Sequence, residues 1–216
     1  MYKRQWIGFY KDSLDIKNSA VPPSGVVPGD LKYKDLNGDG ILDEFDRGFI
    51  GKPNLPSTTA GLTLGVTYKN IDVNMLLQGS FGYSFRIIAE GIEPFVSNLQ
   101  PIHLERWTPA TAETARFHRL TTSASGINSG RSTPSDFWLI DASYVRLKSV
   151  DIGYRLPERW MRSLKMNNMR VFASGYNLLT WNNYDKYQQD AEVASGSIGG
   201  AYPNSRIINF GIQAGF

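Results

Sequence analysis

The sequence has no cysteine among its 216 residues, so disulfides, thiolate metal centres and thiol nucleophiles are all excluded. Histidine is nearly as scarce. His103 and His118 are the only two, fifteen residues apart and in no zinc-ligand spacing, so both read as packing or surface side chains. No apolar run approaches the roughly 18 residues that a membrane-spanning helix needs. Met1 is followed by Tyr-Lys-Arg-Gln-Trp, with neither an apolar segment nor a small-residue cleavage site, and no signal peptide is expected there. An excess of one charge is missing too. The 23 Lys and Arg nearly balance the 20 Asp and Glu, which gives no footing for a nucleic-acid partner. Catalytic constellations are equally scarce. The Ser-rich tract 121–135 lacks a G-x-S-x-G elbow, and Glu90, Glu93 and Glu105 read as solvated loop carboxylates rather than a working pair. No enzyme activity and no catalytic residue are expected.

What is plentiful points to β structure. Glycine (21 residues) and aromatics (12%) are abundant, a pairing that suits strands joined by many turns and edged by rings of Tyr, Trp and Phe. Leu62, Leu64, Val66 and Tyr68 alternate with Gly61, Thr63, Gly65 and Thr67. After the pair Lys69-Asn70, Ile71, Val73, Met75, Leu77 and Phe81 alternate with Asp72, Asn74, Gln78 and Ser80, with Leu76 the one large apolar residue on the polar side. Strict period 2 on both sides of two residues predicts a long β-hairpin. Further strands are predicted over 1–10, 142–156, 169–178 and 208–216. In the second of these the apolar phase changes between Val145/Leu147 and Val150/Ile152/Tyr154, which predicts a bulge. Short helices are expected near 99–107 and 158–166.

About six strands therefore alternate in direction, and their connections alternate in length. The stretches 11–58, 82–141 and 179–205 are long, whereas Lys69-Asn70 and 157–167 are short. Long loops at one end, short turns at the other, and strands apolar on one face and polar on the other predict an all-β fold: an antiparallel transmembrane β-barrel segment with long extracellular loops. A soluble sandwich is the alternative, and it would have no reason to sort its loops by length.

The 11–58 loop carries a second pattern. In Asp35-Leu36-Asn37-Gly38-Asp39-Gly40-Ile41-Leu42-Asp43-Glu44-Phe45-Asp46, side-chain oxygens fall at positions 1, 3, 5, 9 and 12 and glycine at position 6. Ca²⁺ takes six to eight hard oxygen ligands, and this spacing curls a short loop round one ion. Asp35, Asn37, Asp39, Asp43 and Asp46 would offer side chains and Ile41 its carbonyl. Position 12 is Asp where a bidentate Glu is usual, so the loop would have to draw tighter. A structural Ca²⁺ is expected, against the plainer reading of a polar Asn-Gly/Asp-Gly turn. Trp107, Trp138, Trp181 and Tyr184 lie in or beside the long loops, where a ring can stack on a sugar, pack a loop or anchor a membrane interface.

Several blocks, in order, resemble the SusC/RagA family of TonB-dependent outer-membrane transporters. They are residues 28–40, Asp46-Arg47, Ile50-Gly51-Lys52-Pro53, Leu76 to Gly82, Arg106-Trp107-Thr108-Pro109, Ala142 to Val150, Tyr176 to Thr180 and the last strand. The resemblance covers essentially the whole chain, residues 1–216, as the carboxy-terminal part of such a receptor. It implies about six strands of a presumed 22-stranded barrel, with the plug domain and TonB box absent. It further implies a place in the Gram-negative outer membrane and import of glycan- or peptide-derived oligomers energised by TonB. A SusD-like surface lipoprotein would close over the mouth. In that setting Asn209, Gly211, Ala214 and Phe216 resemble the signal by which a last strand is recognised during barrel assembly. The alternative is a soluble calcium-stabilised β-rich binding or adhesion module.

Overall fold

The structure, a computed structural model, describes residues 2–87, 92–93, 95, 99–122, 126–130, 132–164, 166–184, 190, 192 and 204–215. In chain order the strands are β1 (Tyr2–Arg4), β2 (Trp6–Phe9), β3 (Leu31–Tyr33), β4 (Arg47–Phe49), β5 (Thr58–Tyr68), β6 (Ile71–Phe81), β7 (Ser84–Arg86), β8 (Leu139–Asp141), β9 (Tyr144–Arg155), β10 (Asn168–Asn182) and β11 (Ile207–Gly215). Two short helices, α1 (Ser13–Lys17) and α2 (Glu158–Leu164), accompany them. The segment expected to be helical near 99–107 is a 3₁₀ turn over Pro101–Glu105.

Five strands form one antiparallel sheet in the order β11-β10-β9-β6-β5. The register of the β5–β6 hairpin runs unbroken from Thr58↔Phe81 to Tyr68↔Ile71, closed by Lys69-Asn70 with Lys69 at φ 54°. The predicted bulge is present. Leu76 pairs with Ser149 but Leu77 with Leu147, so Lys148 is the extra residue on β9. A second shift falls opposite it on β10 between Tyr176 and Leu179.

The stretch 1–10, expected as the first strand of the sheet, lies elsewhere. It divides into β1, which pairs with β4, and β2, which pairs with β3. The reason is visible in its residues. Lys3 and Arg4 are buried beneath β1, and Trp6 and Phe9 pack on Phe137, so no single face is apolar enough to line a long sheet.

Pairing partners sort the sheet into two faces. One carries Leu62, Leu64, Val66, Val73, Met75, Leu77, Val150, Ile152, Val171, Ala173, Phe210 and Ile212. The other carries Asp72, Asn74, Gln78, Ser80, Arg146, Asp151, Arg170, Ser174, Thr180, Asn209 and Gln213. Lys69-Asn70 and the α2 connection lie at one end. The three long connections, 2–57, 82–143 and 183–206, meet at the other end.

Among the described residues the buried core lies in those connections, with Tyr144 at the start of β9 its one member on the sheet. Tyr10, Leu31, Tyr33, Leu42, Phe85, Ile87, Phe117, Ile127, Trp138 and Ile140 form one cluster. Backbone groups cross-link its two halves. Arg4 N–H donates to Pro134 O at 3.0 Å and Arg119 N–H to Gly29 O at 2.9 Å, while Trp6 N–H reaches Asp136 Oδ1 at 2.6 Å. The segments 2–57 and 99–141 therefore make a folded cap on one end of the sheet.

Candidate functional site

Two places on the described chain concentrate polar chemistry, the Asp35–Asp46 loop and the polar face of the sheet.

The loop is held by its own carboxylates. Asp35 accepts from Gly38 N–H (2.6 Å) and Gly40 N–H (2.8 Å), Asn37 Oδ1 from Asp39 N–H (3.1 Å), and Asp39 from Ile41 N–H (2.8 Å). Gly40 adopts φ 81°, which glycine enters without a Cβ penalty. Asp43 accepts from Phe45 N–H at 2.8 Å. Asp46, fully buried, accepts from Leu36 and Asp43 N–H, each at 2.8 Å. Burial pushes the Asp46 carboxyl up, yet the N–H groups of Asp43, Leu36 and Asn37 and the adjacent Asp35 outweigh it and hold the group below the ordinary carboxylate range. Leu42 anchors the loop in the cap core, and Ile41 pairs with Val21. The donors are all hard oxygens in calcium-loop order, so the residues suit Ca²⁺ in chemistry and sequence. Their arrangement is that of a self-satisfied turn. Among the described residues no three or more His, Asp or Glu side chains gather as a metal cage would require.

The polar face of the sheet holds two ion-pair groups. Near the short turns, Arg170 on β10 lies across β9 to reach Asp72 on β6, with Nε 3.1 Å from Asp72 Oδ1, and also pairs with Asp151. Gly153 makes that crossing possible, because a Cβ there would stand 2.2 Å from Arg170 Nε. Near the long connections, Arg146 on β9 donates to Thr180 Oγ1 at 2.9 Å and to Asp190 Oδ1 at 3.0 Å. Lys148 Nζ sits 2.7 Å from both oxygens of Glu192. Sequence reading marked the alternation but missed these pairs. Residues 44 apart give no periodic signal, and the only hint was unlike charges on polar strand positions.

The other singled-out residues are placed as follows. His103 and His118 are buried packing groups. His118 stacks on Phe117 with ring centroids 4.4 Å apart, and burial lowers its pKa to about 4. Trp107, Trp138 and Tyr184 are buried, which removes them as open stacking platforms. Trp181 pairs with Val145 on the apolar face. Glu105 lies 3.7 Å from Arg116, and Glu93 accepts from Ser129 Oγ at 3.2 Å. Glu90 and Phe216 lie outside the described residues.

No family model matches the chain. Among curated proteins, it is 28% identical over 230 residues to TonB-dependent receptor P3 of Formosa agariphila, covering 100% of this chain and 22% of that protein. It is 24% identical over 211 residues to TonB-dependent receptor SusC of Bacteroides thetaiotaomicron, covering 97% of this chain and 20% of SusC. Among solved structures, the RagAB peptide transporter superposes with a TM-score of 0.69 at 22% identity, covering 100% of this chain and 23% of that one. The chain thus spans less than a quarter of the length of these proteins. Whole-chain likeness in sequence, joined to an all-β sheet apolar on one face and polar on the other, makes this chain similar throughout to a stretch of the SusC-like TonB-dependent receptors, with the fold of the corresponding part of the RagAB transporter.

Proposed function

We propose that the chain is the carboxy-terminal wall and cap of an outer-membrane import barrel, working without catalysis. The observation that carries this is the sheet's apolar face. Leu62, Val66, Ile152, Phe210 and Ile212 all stand exposed on it, Phe210 by 83%. In water each would forgo about 1.5–3 kcal/mol of burial, whereas lipid supplies that burial. The ten residue steps of β6 span about 34 Å along the strand, and a tilt near 45° brings this to about 25 Å, the height of an outer-membrane apolar band. Tyr68 and Tyr154 mark one edge of the band, and Phe81 and Trp181 mark the other, as interface girdles do. The opposite, polar face then lines the lumen, with oligosaccharide or peptide cargo passing along it, energised by TonB. The cap faces outward, toward a SusD-like lipoprotein.

The test is accessibility in intact cells expressing the full-length protein. A thiol reagent should label Ala110→Cys in the cap and miss Asn70→Cys in the short turn. Equal labelling of both, or the reverse, defeats the assignment. A calcium-stabilised soluble module would instead refold from this chain in plain buffer into a cooperatively melting monomer. Under the import reading, Ca²⁺ would be held by Asp35, Asn37, Asp39, Asp43, Asp46 and the Ile41 carbonyl, organising the cap without chemistry. Its support is the donor set. Metal analysis of purified full-length protein should find one Ca²⁺ that Asp35→Ala removes. Identical calcium content in the two proteins eliminates the site.

A further inference from the structure

The ion pairs of the lumen face are not alike. Near the short turns the wall neutralises itself, since Arg155 and Arg170 meet Asp72 and Asp151 on neighbouring strands. Near the cap it does not. Among the described residues, the acids that pair with Arg146 and Lys148 come from outside the sheet, from Asp190 and Glu192 in the connection after β10. The bulge at Lys148 lets Arg146, Lys148 and Ser149 crowd one short stretch of β9.

Glu192 shows what this stretch holds. Its carboxylate takes Lys148 Nζ on both oxygens at 2.7 Å and Asn204 Nδ2 at 2.6 Å, with Arg146 Nη1 3.4 Å away. That Nη1 is buried and makes no hydrogen bond among the described residues. The Arg146 side chain is only 3% exposed, yet Lys148 and Glu192 are 31% and 21% exposed. The pocket is therefore floored by a fixed guanidinium and open on its ammonium side. Tyr144 lies under the Arg146 guanidinium at 5.8 Å, and Thr180 fixes its Nε.

We propose that Arg146, Lys148 and Asn204 form a carboxylate-binding subsite in the lumen, which Glu192 occupies as a tethered stand-in until a carboxylate of the cargo displaces it. The cargo class is an oligomer bearing acidic groups, such as a peptide with Asp or Glu side chains. The proposal rests on the reading of this face as the lumen of an import barrel. A tethered acid competes at an effective concentration of about millimolar, so a single free carboxylate is excluded while a ligand with several is admitted.

The experiment uses full-length protein purified in detergent, titrated with tetraglutamate and, as control, tetraglutamine. E192Q keeps the shape and the amide contact but removes the competing charge. It should tighten tetraglutamate binding about tenfold and leave tetraglutamine unchanged, and the gain should vanish in the E192Q/K148M double variant. Unchanged or weaker tetraglutamate binding in E192Q overturns the subsite. So does an equal gain for tetraglutamine, or a gain that survives K148M. K148M alone should weaken tetraglutamate binding, and no weakening counts against the subsite even if E192Q misfolds. The import reading fails separately, on absence of the unmutated protein from the outer membrane.

Discussion

In the cap, Trp138, Tyr10 and Leu31 are shut away from solvent, although Phe45, Phe49 and Leu104 stay exposed on its surface. In the sheet the order is reversed, with Phe210, Ile208 and Leu62 exposed on one face and Asp72, Arg146 and Ser174 buried on the polar face. The two regions share one chain and one composition, but their sequence patterns name different solvents. The cap gathers its apolar residues from distant points, as a protein core in water does. The wall places them at every second position on one side, as a surface in lipid does. A polypeptide can thus carry two opposite hydrophobic orderings, provided the boundary between them is sharp. Here it falls at Ala142–Tyr144, where buried cap residues lead straight into β9.

The most forceful way to break the comparison is a crossed pair of substitutions. Trp138→Ala removes the largest fully buried side chain of the cap and should cost about 3–5 kcal/mol there, because the neighbouring Phe117 and Phe137 rings cannot close the hole. Phe210→Arg puts a charge on the apolar face and, with lipid against that face as proposed, should cost about 2–4 kcal/mol at mid-bilayer depth. In full-length protein, limited proteolysis should find the first variant cut in the cap but normally inserted. The second should be depleted from the outer membrane. If both variants fail in the same way, the two regions are not separate in their stabilisation.

A pH titration separates them more gently. His118 is surrounded by Phe117, Phe137 and Trp138, with Nδ1–H donating to Arg119 O at 2.7 Å. Arg119, His103 and Asp30 are the charged or titratable groups that act on it. Burial lowers its pKa to about 4, against about 6.5 in an unfolded chain. Between those values the unfolded state binds the extra proton. The contribution of His118 is therefore full above pH 6.5, falls as pH drops toward 4, and is gone below it. The loss is on the order of 3 kcal/mol. Hydrogen exchange at pH 4.5 should speed up in the cap relative to pH 7 and leave the sheet unchanged, and His118→Phe should flatten the difference.

Much of the wall was legible and much of the cap was not, for a physical reason. Period 2 is local, so Leu62 to Phe81 announced a hairpin and Val145 to Tyr154 announced a bulge without any tertiary knowledge. The cap depends on contacts such as Tyr33 Oη to Ile127 O at 2.9 Å and Asp30 to Asn128 at 2.6 Å, across more than ninety residues. Nothing periodic encodes these. The same gap explains why 1–10 was read as a sheet strand and why the Arg146–Asp190 pair went unseen. The oxygen spacing at Asp35–Asp46 was legible as a loop signal, and Gly38 and Gly40 do take the turn conformations it requires.

Within the sheet, a finer test asks whether the polar face is packed or merely polar. Phe172 on β10 lies over Gly211 on β11, where a Cβ would stand 2.4 Å from the ring. Its ring in turn carries the Arg170 guanidinium at 5.3 Å. Gly211→Val should therefore displace Phe172 and cost about 1–3 kcal/mol as overpacking. A lower urea midpoint for refolded full-length protein checks it. An unchanged midpoint would mean that the polar face tolerates bulk as a loose polar surface does.

The smallest effect is expected at the bulge itself, where Asn177 takes φ 54° between the shifted pairs Tyr176↔Ser149 and Leu179↔Leu147. Left-handed backbone costs an ordinary residue about 1–2 kcal/mol, and asparagine tolerates it because its short polar side chain bonds locally. Asn177 bonds at long range instead, its Nδ2 donating to Ser205 O at 3.2 Å, 28 residues on and just before β11. Asn177→Gly gives up that bond, worth about 0.5–1.5 kcal/mol, but relieves the strain. The two should nearly cancel, leaving stability within about 1 kcal/mol of the original. Asn177→Val loses the bond and keeps a β-branched side chain in the disfavoured region, so it should be the worse of the two by about 1–2 kcal/mol. Urea midpoints of the two full-length variants settle the order. If valine is tolerated as well as glycine, the bulge relaxes to ordinary pairing, and the phase change along β9 does not require the left-handed residue opposite it.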